Sequence, residues 1–246
     1  MIKEYSQTFT LAAVESNAQG MMPLTLVIDR CILLATLHAN ALGIGYAGLI
    51  ERGWGWVLSR INVEVLRYPE INEQYTVTTW IEGFNRMYSD RVFLFTDADG
   101  NPIAHGRSMW VAIDMRLRTA VDLSALNPES FPLGTGQCPL PKIPKLPPLK
   151  DPDSSAAYTF QYADIDFNRH VNTVQYVRLL LNQWPLEHYD SHSIRSFNIA
   201  FQHECHFGEE VSLLRRGTDS ARIDIVRPDG MRAIAAEITF TPTPQP

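Results

Sequence analysis

The sequence is poor in the residues that build disulfides, metal sites and nucleic-acid surfaces. It has three cysteines in 246 residues, Cys31, Cys138 and Cys205. The number is odd and the spacing fits neither a zinc motif nor a disulfide framework, so a reducing, cytoplasmic setting is expected. The net charge of -6 lacks the basic excess that general nucleic-acid binding requires. The first residues, Met1-Ile2-Lys3-Glu4-Tyr5, lack the basic and then apolar plan of a secretory signal. The most apolar stretch, Leu24 to Ile50, is interrupted by Asp29, Arg30, His38 and Asn40, which a membrane span rarely carries. It reads instead as a buried helix with a polar stripe. No nucleic-acid or membrane partner is expected. Apolar residues make up 45% and charged residues 20%, the balance of a folded domain, so disorder is expected only at the end, Thr241 to Pro246.

Proline is not scarce, and seven of the 16 lie between Pro132 and Pro152. Such a stretch cannot sustain a regular ladder or helix and reads as an extended, polyproline-like linker. It would separate an N-terminal repeat, 1–131, from a C-terminal repeat, 153–246. Each half reads the same way. A short strand opens it (Tyr5 to Leu11; Tyr158 to Tyr162) and an apolar helix follows (Leu24 to Leu42; Val171 to Trp184). In the second helix Val171, Val174, Val177, Leu181 and Trp184 recur every three or four residues and predict one apolar face. Strand patterns come next. Glu73-Gln74-Tyr75-Thr76-Val77 resembles Glu209-Glu210-Val211-Ser212-Leu213, and Asp99-Gly100 and Asp229-Gly230 are matched hairpin turns. The strands after those turns should run Pro102 to Ile113 and Met231 to Phe240. The second copy is more compressed, so it should have shorter strands or a tighter hairpin. One strand, one long helix and an antiparallel sheet, twice over, predict an α+β chain of two tandem hotdog repeats, each an antiparallel sheet wrapped around a helix.

The richest polar segment precedes the second helix: Asp166-Phe167-Asn168-Arg169-His170-Val171-Asn172. In an extended loop, Asp166, Asn168 and His170 would share one side. The free N–H groups of the next helical turn, with the helix dipole, would bind a developing oxyanion. One well-placed donor is worth roughly 3–4 kcal/mol in a transition state. Caps and turns use Asp and Asn as well, so the spacing alone leaves structural and catalytic readings open. A second cluster is His203-Glu204-Cys205-His206. Read as a strand, its ligands diverge, which makes a poor metal site. Glu204 suits a general base, and Cys205 is either a nucleophile paired with His170 or a small buried apolar residue.

These residues resemble the acyl-acyl carrier protein thioesterases of plant plastids and their bacterial relatives. That family carries D-x-N-x-H-V-N before a helix of its second repeat, followed about one strand later by Glu-Cys; here Glu204-Cys205 begins 34 residues after His170. Arg67-Tyr68-Pro69 and Ser108-Met109-Trp110-Val111 resemble its first repeat. With no transit segment in view, the likeness is to the bacterial branch. The resemblance implies hydrolysis of fatty acyl-acyl carrier protein, no cofactor, and a monomer or homodimer. It assigns catalysis to Asp166, Asn168, His170 and Glu204, by a carboxylate scheme or one in which Cys205 is the nucleophile. The carboxylate scheme is preferred, because a strand would turn Glu204 and Cys205 to opposite faces. In it His170 and Glu204 activate water, Asn168 holds the thioester and Asp166 orients or attacks.

The first half reads Glu15-Ser16-Asn17-Ala18-Gln19-Gly20 at the matching place, without histidine. One active site per chain is therefore expected, with the first repeat supplying the acyl pocket through Leu33, Leu34, Leu37, Leu42, Trp54 and Trp56. An acidic carrier would need a local basic patch; Arg116, Arg118, Arg215 and Arg216 are the candidates. The rivals are an acyl-CoA thioesterase of the same fold, an enoyl-thioester hydratase and a non-catalytic acyl-binding module. The hydratase motif places a proline and a further residue between Asn and His, where this chain has Arg169 alone. A binder has no need of the polar set.

Overall fold

A computed structural model of the chain describes residues 2–127, 131–142 and 144–243. Of the end expected to be disordered, Thr241 and Pro242 instead belong to the last strand, held by tertiary pairing, and 244–246 lie outside the described residues. Two compact units, Met1–Ile143 and Pro144–Pro246, divide the chain inside the proline-rich stretch.

The first unit opens with β1 (Glu4–Thr10), continues through α1 (Leu24–Ala41) and the short α2 (Tyr46–Ile50), and closes with β2 (Trp54–Val65), β3 (Gln74–Phe84), β4 (Ser89–Asp97) and β5 (Pro102–Asp114). Its strands pair antiparallel in the order β1-β3-β4-β5-β2. The helix follows from the spacing of Leu24, Val27, Ile28, Cys31, Leu34, Ala35 and His38, all buried along one stripe. It stops where Gly43 adopts φ 76° and donates its N–H to the Asn40 carbonyl, a conformation that suits glycine. The stripe packs on β1 and β3, where Tyr75, Val77 and Thr79 alternate as buried residues. By length and composition α1 is apolar enough to cross a membrane, but here its apolar stripe is covered by sheet. Leu34 has no exposed surface, and its truncation to alanine should cost about 2–5 kcal/mol.

The second unit repeats the plan. β6 (Ser154–Thr159) leads to α3 (Thr173–Leu181) and α4 (Leu186–Ser191), followed by β7 (His192–Phe201), β8 (Glu210–Arg216), β9 (Ser220–Val226) and β10 (Arg232–Pro242). The order is β6-β8-β9-β10-β7, again antiparallel, which is the first unit's order strand for strand. The Asp-Gly turns sit where expected, with Gly100 at φ 84° and Gly230 at φ 79°. The second copy has the shorter strands: β8 has 7 residues against 11 in β3, and β9 has 7 against 9 in β4.

The predicted second helix is trimmed at both ends. Asn172 is its N-cap, accepting the Val174 N–H, so Val171 lies outside it, and Asn182 ends it before Trp184. The buried face is set by Tyr176, Val177, Leu179 and Leu180 rather than by Val174 and Leu181. The cause is tertiary: the Tyr176 ring packs against Phe160 and Phe201.

The described proline-rich residues form neither helix nor strand, and each half is packed on its own unit. Gly134 donates to the Ile81 carbonyl, and it and Gly136 lie so close to the Trp80 ring that a Cβ at Gly134 would sit 2.4 Å from it. In the second unit, Arg232 donates to the Leu146 carbonyl and Arg222 to the Pro147 carbonyl, while the Leu149 N–H donates to Asp224.

Candidate active site

The candidate site is built by two loops of the second unit. The first runs from β6 to α3. Asp164, buried in a short 3-10 turn, accepts the Tyr158 hydroxyl at 2.9 Å and the Gln161 N–H at 2.7 Å, and its carbonyl accepts the Asn172 N–H at 2.8 Å. The next residues are not extended, as their alternation suggested, but reverse direction. The Asp166 N–H donates to the His170 carbonyl at 2.8 Å and the Arg169 N–H to the Asp166 carbonyl at 3.0 Å. The Asp166 carboxylate accepts the N–H groups of Asn168 and His170 at 2.8 and 3.2 Å. Arg169 makes the reversal at φ 67°. Asp166 is thus bound to the backbone of its own turn, Asn168 is exposed on it, and His170 leaves it half-buried.

The second loop follows β7. This strand ends at Phe201, so His203 to His206 is not the strand the sequence suggested; Gln202 instead donates its N–H across to Ala233 and the chain leaves the ladder. Glu204 and Cys205 still part ways. Glu204 reaches His170, with Oε2 3.4 Å from Nε2, while Cys205 is fully buried. Burial pushes the Cys205 thiol up to about 11, with a hydrogen bond from Tyr176 only partly opposing it, the reverse of the lowered value that makes a cysteine nucleophilic. The His206 ring stands 5.2 Å from that of His170, and the His206 backbone N–H donates to the Glu209 carboxylate. The Cys205 carbonyl accepts the Val171 N–H at 3.0 Å, and the Cys205 N–H donates to the Tyr176 hydroxyl at 3.1 Å. The N–H groups of Val171, Asn172 and Val174 are therefore already bonded. Among the described residues no group of three or more His, Cys, Asp or Glu is placed to hold a metal ion.

The first unit contains a twin of this turn. The Asn17 N–H donates to the Met21 carbonyl at 2.8 Å and the Gly20 N–H to the Asn17 carbonyl at 3.0 Å. The Asn17 side chain accepts the N–H groups of Gln19 and Met21 at 3.1 and 2.9 Å, and Gly20 makes the reversal at φ 74°. The Met22 N–H donates to the Pro69 carbonyl at 2.8 Å, as Val171 does to Cys205. Asn17, Gln19, Met21, Tyr68 and Pro69 thus occupy the places of Asp166, Asn168, His170, Glu204 and Cys205. Sequence reasoning missed this twin and the role of Tyr176. The readable signal was the pair of turn formers Asn17 and Gly20 at the spacing of Asp166 and Arg169.

The remaining candidates scatter. Leu34 is wholly buried in the helix stripe, whereas Leu33 and Leu37 are half-buried beside it. Leu42 and Trp56 belong to a separate apolar cluster with Ile44, Phe84 and Phe131, and the Trp56 indole N–H donates to the Ile44 carbonyl. Trp54 lies at the start of β2 with the Arg52 guanidinium 5.6 Å from its ring. Arg116 and Arg118 are exposed in the turn after β5. Arg215 is not an open surface cation: it donates to the Gln183 carbonyl and the Ser154 hydroxyl and lies over the Trp184 ring. Arg216 is exposed and donates to the Lys150 carbonyl.

Two repeats of a helix on an antiparallel sheet define a hotdog protein, and its second repeat brings His170 and Glu204 together. The chain belongs to the acyl-ACP thioesterase family: the family's N-terminal domain matches residues 2–125 and its C-terminal domain residues 149–241. It is similar to the chloroplastic oleoyl-acyl carrier protein thioesterase 1 of Arabidopsis thaliana, 26% identical over 87% of this chain and 64% of that protein. It is also similar to the chloroplastic palmitoyl-acyl carrier protein thioesterase of Gossypium hirsutum, 24% identical over 82% of this chain and 52% of that one. The chain spans about half the length of the curated relatives it matches. Among solved structures, an acyl-ACP thioesterase from Bacteroides thetaiotaomicron superposes with a TM-score of 0.90 at 27% identity, covering 97% of this chain and 98% of that one. A 12:0-ACP thioesterase from Umbellularia californica, at 23% identity and a TM-score of 0.88 over 99% of both chains, shares the fold.

Proposed function

We propose that this protein hydrolyses fatty acyl-acyl carrier protein to free fatty acid and carrier protein, in a cytoplasmic setting, with one active site per chain. The observation that carries the reading is the 3.4 Å approach of His170 Nε2 to Glu204 Oε2 beside a buried, unactivated Cys205 thiol. Such a pair can hold a water molecule and remove its proton. The water oxygen forms a bond to the thioester carbonyl carbon, the C–S bond then breaks, and the departing sulfur takes up a proton returned by the pair. Asn168, exposed on the turn, holds the thioester by its side-chain amide. Asp166 orients His170 through the two backbone N–H groups it accepts.

The carrier protein, rather than coenzyme A, is favoured by family membership and by the named relatives. The exposed Arg116, Arg118 and Arg216 offer an acidic carrier local positive charge, so binding should weaken as salt rises. The three free cysteines suit a reducing compartment.

The test is a turnover panel of acyl-carrier and acyl-CoA substrates of varied chain length, with Cys205→Ala and Glu204→Ala compared by kcat/KM. Glu204→Ala should lose far more than Cys205→Ala. The opposite ranking would overturn the carboxylate scheme, and faster turnover of acyl-CoA would overturn the choice of carrier.

A further inference from the structure

A peptide N–H buried away from water needs an acceptor. The residue after Glu204 is fully buried, and its N–H has one: the Tyr176 hydroxyl at 3.1 Å. On the other side of the same residue, the Cys205 carbonyl accepts the Val171 N–H. Cys205 is thus pinned by its backbone from both sides, once by the strand-like start of α3's approach and once by α3 itself. Tyr176 cannot easily drift, because it is buried and its ring lies edge-on to Phe160 at 5.6 Å and against Phe201 at 6.2 Å.

The first repeat meets the same local requirement differently. Pro69 stands where Cys205 stands and has no N–H to satisfy. Val27, ten residues after Asn17 as Tyr176 is ten after Asp166, has no hydroxyl to offer. The hydroxyl and the N–H therefore occur together, in the copy that carries His170 and Glu204, and both are missing from the copy that carries Met21 and Tyr68.

We infer that Tyr176 is a positioning residue: by holding the Cys205 N–H, its hydroxyl fixes the backbone from which Glu204 reaches His170. The inference rests on the hydrolytic reading proposed above. It also gives Cys205 a function that does not involve its sulfur. The thiol fills a small buried space, and the peptide aims its neighbour.

Tyr176→Phe tests this with little change of volume. Its kcat should fall on the order of 10- to 100-fold, the usual effect of misplacing a reacting group by about an ångström, with KM within about twofold of the parent. A crystal structure of Tyr176→Phe should show the Glu204 carboxylate withdrawn from His170. In a Glu204→Ala background the same substitution should add nothing, because the group it aims is gone. Parental kcat, an unmoved Glu204, or a loss of the same size with Glu204 absent would each overturn the inference. Failure of the hydrolytic reading looks different: His170→Ala and Glu204→Ala would then turn over thioester as fast as the parent.

Discussion

Residues 17–22 and 166–171 fold into the same turn, bond for bond, yet only the second presents a histidine to a carboxylate. Asn17 and Asp166 accept the same two N–H groups, and Gly20 and Arg169 make the same left-handed reversal. In each case the residue after the turn donates to the loop that follows the second strand of its unit. The turn is therefore a property of the fold, a way of leading a chain from an edge strand into a helix. Chemistry is added at the side chains that project from it. Met21 and Tyr68 stand where His170 and Glu204 meet, so the first copy has neither an imidazole nor a carboxylate at these two places.

Substituting His170→Met copies the first repeat's choice and should break the contrast most sharply. A general acid–base contribution is worth on the order of 10²–10⁴ in rate, so kcat should fall by about a thousandfold. The thermal unfolding midpoint should stay close to the parent's, since methionine is accommodated on the same turn at position 21. A retained kcat would mean that the two copies do not differ where it matters.

Asp166→Asn copies the first repeat more subtly. Asn17 shows that an amide oxygen holds this turn, so stability by denaturant titration should stay within about 0.5 kcal/mol. If the negative charge near His170 matters beyond the turn, kcat should drop roughly 10- to 100-fold. An unchanged kcat would reduce Asp166 to a turn former like its twin.

The Cys205–Pro69 difference can be read through pH. The folded Cys205 thiol sits at about 11, against an ordinary value of 9.0. As pH rises, the unfolded chain therefore loses this proton first. The stability contributed below pH 9 is fully present there and is lost between 9 and about 11. Unfolding curves of the parent should thus weaken more steeply over this window than those of Cys205→Ala; parallel curves would show that the thiol is not insulated.

The smallest effect belongs to Arg169. A side chain at φ 67° is strained, and Gly20 shows the relaxed alternative. Arg169→Gly should stabilise the second unit by up to about 1 kcal/mol, visible as a higher midpoint. A loss instead would reveal contacts made by the guanidinium that outweigh the strain.

The fold was legible because it is written twice. The matched strand starts at Gln74 and Glu210 and the paired Asp-Gly turns made the repeat and its hairpins readable from local patterns, whereas the order of strands across each sheet is set by tertiary pairing. The apolar run from Leu24 to Leu42 marked α1 in the same way, and its buried stripe is set by the sheet it packs on. Asp166, Asn168, His170 and Glu204 stand out in the sequence by residue type and spacing, but their geometry does not. Alternation at Asp166, Asn168 and His170 implies one shared side only in an extended chain, and a non-glycine reversal at Arg169 is not a pattern that periodicity detects. The end of β7 at Phe201 was hidden for a related reason, since Gln202 and His203 both turn their N–H groups to Ala233, a tertiary choice. Tyr176 stands outside the apolar pattern read for the second helix; its hydroxyl acquires meaning only when a residue 29 positions away arrives beside it.

The proline-rich stretch bears on how this protein could be cut. Its composition invites a protease site or a fragment boundary anywhere from Pro132 to Pro152. The bonding pattern does not. A fragment of the second repeat starting at Asp153 would strip carbonyl acceptors from Arg222 and Arg232 and a donor from the nearly inaccessible Asp224. A fragment starting at Pro144 keeps all three. For anyone dissecting the two halves, the safe incision lies at the middle of the prolines, not at their end.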